Sequence, residues 1–166
     1  KRQGISFGSG MTNIALSINT IEGLSFSVAR GGDWIDNGAA KSVGSTAARI
    51  CAIKEKGIQL SAPKGRDEEA IAFYYKALIE YALENLARQF VAKSTHLNLN
   101  RPIPIVVGGG TSLAGGFMDF FKEVFESKRK TFPIQISEIR HASDPLGSVA
   151  KGLLILASQE YEDDDE

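Results

Sequence analysis

Three short glycine-bearing turns hold the residues of this sequence that could do chemistry. The first, Gly8-Ser9-Gly10 in ISFGSGMTN, follows a run that alternates like a strand. Glycines let the backbone come close to an anion, and successive N–H groups can point into one concavity. The second, Gly31-Gly32-Asp33, stands at a helix start, where the dipole favours negative charge. The third, Gly108-Gly109-Gly110-Thr111-Ser112, lies again between a strand and a helix. Alone, the first reads equally well as a plain hairpin turn and the second as an ordinary capped helix. The third is the most specific, since three glycines after IPIVV exceed what a simple strand-to-helix turn needs. There is no G-x-x-x-x-G-K-[ST] loop, and no G-x-G-x-x-G opens a helix.

The elements that position these turns follow from periodicity. Ile5 and Phe7, then Ile14, Leu16 and Ile18, then Leu24, Phe26 and Val28 alternate with small or polar residues. That predicts a three-stranded meander with tight turns. Asp33 can cap a helix over Trp34–Val43, and Ser45 or Thr46 a second one that Gly57 stops. Gly57–Arg66 reads as a loop. A long helix is predicted over Asp67–Lys93, with Ile71, Tyr74, Leu78, Tyr81, Asn85 and Gln89 close to one line. Ile103–Val107 reads as a strand covered on both faces, followed by a helix around Phe117–Phe125, a strand at Ile134–Ile139 and a last helix. That helix opens at Asp144-Pro145 and runs through Val149, Leu153 and Leu156. The sum is an α/β fold: a mixed sheet, antiparallel meander at one end and parallel strands at the other, with helices on its faces.

Bulk properties narrow the function classes. A chain of 166 residues with 43% apolar and 23% charged residues is an ordinary globular domain. No apolar run approaches the ~20 residues a membrane-spanning helix needs, and KRQGISFGSG lacks the apolar core of a secretory signal. The single Cys51 cannot form an internal disulfide, which suits a cytoplasmic setting. The last seven residues carry six acids, so the other 159 hold 19 basic and 14 acidic groups, a net +5. The mildly basic body has no arginine stripe, which argues against nucleic acid; residues 159–166 are expected to form a disordered acidic tail. His96 is expected in a polar loop, His141 in a structural role, and Cys51 packed as a small apolar group. No metal-ligand cluster and no Ser-His-Asp set is evident.

In order and spacing, the turns resemble the second half of the actin-like ATPase superfamily, which includes actin, MreB and the heat-shock chaperone ATPases. The resemblance covers Ile5 to about Ala157. The first turn resembles the second phosphate hairpin, D-x-G-G-G-T-T-[DE]; Gly31-Gly32-Asp33-Trp34-Ile35-Asp36 looks like the G-G-D-x-[FI]-D that follows. Ile53-Lys54-Glu55-Lys56 matches an adenosine-contacting segment of actin, and Val106–Gly116 looks like the adenosine loop. Asp144-Pro145-Leu146 with Val149-Ala150-Lys151-Gly152 resembles the closing helix of the MreB-like members. The resemblance implies a ribonuclease-H-like, actin-like ATPase domain over residues 1–158. It implies that Gly8, Ser9, Gly10 and Met11, with Gly31 and Gly32, cradle the phosphates of ATP or ADP. Lys54 and Glu55 would meet ribose and base, their alternative being a solvated helix face, and Gly109, Gly110, Thr111, Leu113 and Ala114 would wall the adenine.

Two departures qualify the activity. Ser6 stands at the family's aspartate and Asn13 at its closing acid. A serine carries no charge to attract a cation, so positioning of Mg2+ and hydrolysis are expected to be weak and no catalytic residue is assigned. Only Gly57–Arg66 occupies the place of the family's inserted subdomain, so the lid is expected to be small. The family's first phosphate loop is not in this sequence, whose opening reads as a cut from a longer chain; the fragment alone is expected to bind nucleotide weakly and to be inactive. The expected role in the full two-domain protein is nucleotide-controlled self-assembly. The alternatives are a chaperone-type ATPase, a non-hydrolysing scaffold, or a kinase of the same fold.

Overall fold

The computed structural model describes residues 2–18, 21–93, 101–152 and 154. Three antiparallel strands open it: β1 (Arg2–Phe7), β2 (Thr12–Ile18) and β3 (Ile21–Val28). Ile5 pairs with Ile14, and Ile14 in turn with Phe26. β4 (Ile103–Gly108) runs parallel to β1 on its free edge, and β5 (Ile136–His141) parallel to β4. The order β3-β2-β1-β4-β5 is the expected mixed sheet, with the meander at one end and the parallel strands at the other.

Period-two alternation divides the sheet into unlike faces. Ile5, Phe7, Ile14, Leu16, Leu24, Ile103, Ile105 and Val107 are buried on one face, in a core shared with four helices. These are α1 (Gly32–Val43), α2 (Ala47–Glu55), α3 (Gly65–Ala92) and α4 (Phe117–Lys128). Phe7 meets Phe117 edge-on at 5.1 Å and Phe121 at 6.2 Å, which locks α4 over β1. The other face carries Gly4, Ser6, Asn13, Ala15, Ser25, Ser27 and Val106; at its rim stand residues 148–152, which are helical. Among the described residues no helix is long and apolar enough to cross a membrane.

Two local expectations shift. The buried stripe of α3 runs through Ile71, Tyr75, Leu78, Ile79, Ala82, Leu86 and Phe90, while Tyr74, Tyr81, Asn85 and Gln89 sit half-buried at its edge. The cause is α1: Tyr74 lies against Gly38, where a side chain would overlap its ring, and meets Trp34 edge-on at 5.2 Å. Asp33 is not the cap of α1. The N-cap is Gly31, and Asp33 sits in the first turn. The closing helix opens at Asp144-Pro145 as expected: the Asp144 carboxylate accepts from the Gly147 N–H at 2.9 Å and its carbonyl from the Ser148 N–H at 2.9 Å, which is the geometry of a helix N-cap. Leu153, Leu156, His96 and the acidic tail lie outside the described residues.

Candidate functional site

The three glycine turns converge, and one carbonyl joins them. The oxygen of Gly8 accepts from the Gly32 N–H at 2.9 Å and from the Thr111 hydroxyl, also at 2.9 Å. The neighbouring Ser9 oxygen accepts from the Asp33 N–H at 2.9 Å. The first donors of α1 are thus capped by the hairpin, which explains a helix start with no side-chain cap. Such close approach demands glycine. A Cβ on Gly31 would overlap the oxygens of Gly8 and Ser9, and one on Gly109, at φ +88°, would overlap the backbone of Phe7. Gly10 differs, because a Cβ there would meet nothing within 4 Å and its backbone is not left-handed. At the hairpin tip the N–H groups of Ser9 and Gly10 make no hydrogen bond among the described residues, whereas the Gly8 N–H is used by Met11 O at 3.0 Å.

Beside the hairpin opens a cleft of about 470 Å³. One end is formed by Ser9, Gly32, Asp33, Gly110 and Thr111, the other by Cys51, Lys54, Glu55, Gly57, Ile58, Tyr75, Leu113, Ala114 and Gly115. α2 supplies one wall and the 3-10 turn Gly110–Leu113 the other. The floor is built by the short connection after α2, which pairs with the second wall. Gly115 N–H donates to Ile58 O at 3.1 Å, and Leu60 N–H to Gly115 O at 2.8 Å. With Ile58 and Leu60 buried, this stretch acts as a strand-like floor rather than the free loop its composition suggests.

Lys54 does not project into open cleft. Its ammonium lies 2.7 Å from Asp36 Oδ1 and donates to Gly32 O at 3.2 Å, with the two side chains 14% and 8% exposed. Asp36 Oδ1 lacks a well-directed hydrogen bond among the described residues, so the ammonium meets it as an ion pair. Removing one partner of such a buried pair costs roughly 3–5 kcal/mol, because the other charge is left without a counterpart. Burial, then the carboxylate of Asp36, pushes the Tyr75 hydroxyl well above the usual phenol range. Partial burial, then Asp36 and Glu55, raises the Cys51 thiol. Both groups are therefore uncharged at neutral pH.

The structure gathers Ser9, Gly32, Lys54, Glu55, Gly110, Thr111, Leu113 and Ala114 along this cleft. Gly8, Gly10, Met11 and Gly31 belong to the adjoining hairpin and turn, and Gly109 packs behind them on Phe7. Ser6 and Asn13 line a second cleft, of similar volume, on the opposite sheet face with Gly4, Ala15, Ser25, Val106 and Val149. That cleft is lined by small, apolar and neutral polar side chains. Asp33, Asp36, Cys51, Gly57, Ile58, Tyr75 and Gly115 also line the cleft, although sequence reasoning assigns none of them a binding role. The i, i+4 spacing of Cys51 and Glu55 could have put them on one face. His141 Nε2 lies 2.9 Å from Ser112 Oγ, which itself donates to Gly109 O at 2.7 Å, so the pair braces the third turn. No group of three metal-ligating side chains occurs among the described residues.

Comparison with solved structures finds this fold in longer chains. The ethanolamine utilization protein EutJ from Carboxydothermus hydrogenoformans superposes with a TM-score of 0.62 and 18% identity, over 88% of this chain and 46% of that one. The MamK double helical filament gives 0.66 and 20%, over 95% and 54%; apo psk41 ParM gives 0.55 and 22%, over 99% and 43%. This chain thus spans about half the length of the structures it matches. At these identities the likeness is one of fold, that of the actin- and MreB-like ATPases. Comparison with curated proteins gives no match. The model of the Volactin family matches residues 3–157, and a match over nearly the whole sequence shows that the chain belongs to that family.

Proposed function

We propose that residues 1–158 are one nucleotide-binding half of an actin-like ATPase, with 159–166 as an acidic tail, and that the 470 Å³ cleft holds ATP or ADP. The observation that carries this is the Gly8 carbonyl joining all three glycine turns at one end of a cleft. Phosphates would lie at the hairpin tip, where the Ser9 and Gly10 N–H groups point to an anion and Gly10 leaves room for it. The purine would lie between α2 and Leu113-Ala114, over Ile58, an apolar slot with the Glu55 carboxylate at its rim. Mg2+ would enter with the nucleotide. Asp33, whose Oδ2 accepts from Ser9 Oγ at 3.3 Å, is the carboxylate nearest the tip that could hold its water shell.

The rest of the two-domain protein would supply the facing phosphate loop, as the half-length match to MamK and ParM supports. A structure named for a MamK double helical filament, and a non-polymerising MamK mutant bound to AMPPNP, support nucleotide-linked self-assembly as the role. Light scattering of the full-length protein should rise on adding ATP; no change would leave a non-assembling scaffold as the better reading. The serine at position 6 favours that second reading in one respect, since turnover would lack the family aspartate. Ser6→Asp is expected to raise ATP hydrolysis by the full-length protein, and an unchanged rate would remove this explanation of slow turnover.

A further inference from the structure

We infer that Lys54 is a positioning residue set by Asp36, not a ligand for ribose or base, and that the pair holds the phosphate end of the cleft in register. The inference rests on the nucleotide reading above. The Lys54 ammonium is committed on two sides, 2.7 Å from Asp36 Oδ1 and donating at 3.2 Å to Gly32 O. Two of its three donors are thus committed to the protein, and drawing Lys54 away from Asp36 to serve a ligand would leave a buried carboxylate unpaired.

The contacts form a continuous relay. Asp36, one turn into α1, fixes Lys54 near the end of α2; Lys54 holds the carbonyl of Gly32; the Gly32 N–H holds Gly8 O of the hairpin. The relay adds a polar attachment to the packing of Ile50 and Ile53. α2 is nine residues long and fully buries only Ile50. Its other side-chain tie to the long helix is Arg49–Asp67, with Arg49 69% exposed, and exposed pairs contribute little. A short helix with one apolar anchor needs a second attachment to hold its place beside the hairpin.

The test is a double-mutant cycle in the full-length protein with Asp36→Asn, Lys54→Met and the pair combined. ATP Kd would be read well below each melting temperature, and Tm recorded separately. Each single variant should weaken ATP binding about 10-fold, the usual effect of losing a group that orients a site. The combined variant should be no weaker than either single one, because both remove the same relay. Lys54→Arg, which keeps a cation for Asp36, should restore most of the affinity. It also reads the proposal if the other variants fail to fold, since unimpaired folding with affinity lost on Lys54→Arg would contradict it. Tight ATP binding by Asp36→Asn alongside weak binding by Lys54→Met would overturn the proposal in favour of direct contact. Parental Kd in every variant with only a lowered Tm would reduce the pair to packing. No ATP binding by the parent would instead sink the nucleotide reading itself, and this inference with it.

Discussion

At the scale of single residues, the glycines separate into those the fold requires and one it does not. Gly31 is held against two carbonyl oxygens, so Gly31→Ala should destabilise the domain by about 1–3 kcal/mol, the usual cost of overpacking. Gly10→Ala, with open space around its Cβ, should stay within ~0.5 kcal/mol of the parent. Chemical denaturation of both variants checks this, and equal losses would mean that the hairpin tip is constrained by the fold alone. Cys51 gives a second residue-scale reading. Its raised thiol should react with maleimide more slowly at pH 7 than a free cysteine, and the rate should keep climbing above the ordinary thiol value of 9.0. ATP should slow the labelling further, because Cys51 lines the cleft. Labelling indifferent to ATP would place the ligand elsewhere. The glycine turns were legible in the sequence because a run such as Gly108-Gly109-Gly110 is rare and local. The Asp36–Lys54 pair was not, since it depends on how α1 and α2 cross, and 18 positions separate the partners.

At the scale of elements, stability is uneven in a way that matters for binding. α3 buries nine residues along 28, whereas α2 buries one along nine. Amide hydrogen exchange should therefore be faster in α2 and in the Ile58–Leu60 floor than in the middle of α3. ATP should protect α2, the floor and the hairpin more than α4. Uniform protection along α2 and α3 without nucleotide would contradict this picture. The strands were legible because alternation such as Ile14, Leu16 against Asn13, Ala15 has a period that only a half-buried strand explains. The helix details were less so. Tyrosines 74 and 81 were counted as core, yet Tyr74 lies at the edge over Gly38, and Phe73 beside it is 67% exposed. The start of α1 also misled, since its donors are capped by carbonyls 24 residues back in the hairpin, where local cap rules cannot look. The connection after α2 has loop composition, but it gains structure only by pairing with Gly115.

At the scale of the whole molecule, the domain carries a cleft of about 470 Å³ and matches roughly half the length of each solved structure it resembles. The cleft on the sheet's second face is lined by Gly4, Ser6, Asn13, Ala15 and Val106, with the helical residues Ser148 and Val149 at its rim. The nucleotide is expected in the cleft between α2 and the Gly110–Leu113 turn. A crystal structure of the full-length protein with a non-hydrolysable ATP analogue tests it most directly. The predicted result has the phosphates at Ser9 and Gly10 and the purine between Cys51–Ile58 and Leu113–Gly115. Density for the analogue anywhere else, or a purine lying over Gly4, Ala15 and Val106 on the opposite face, would contradict it.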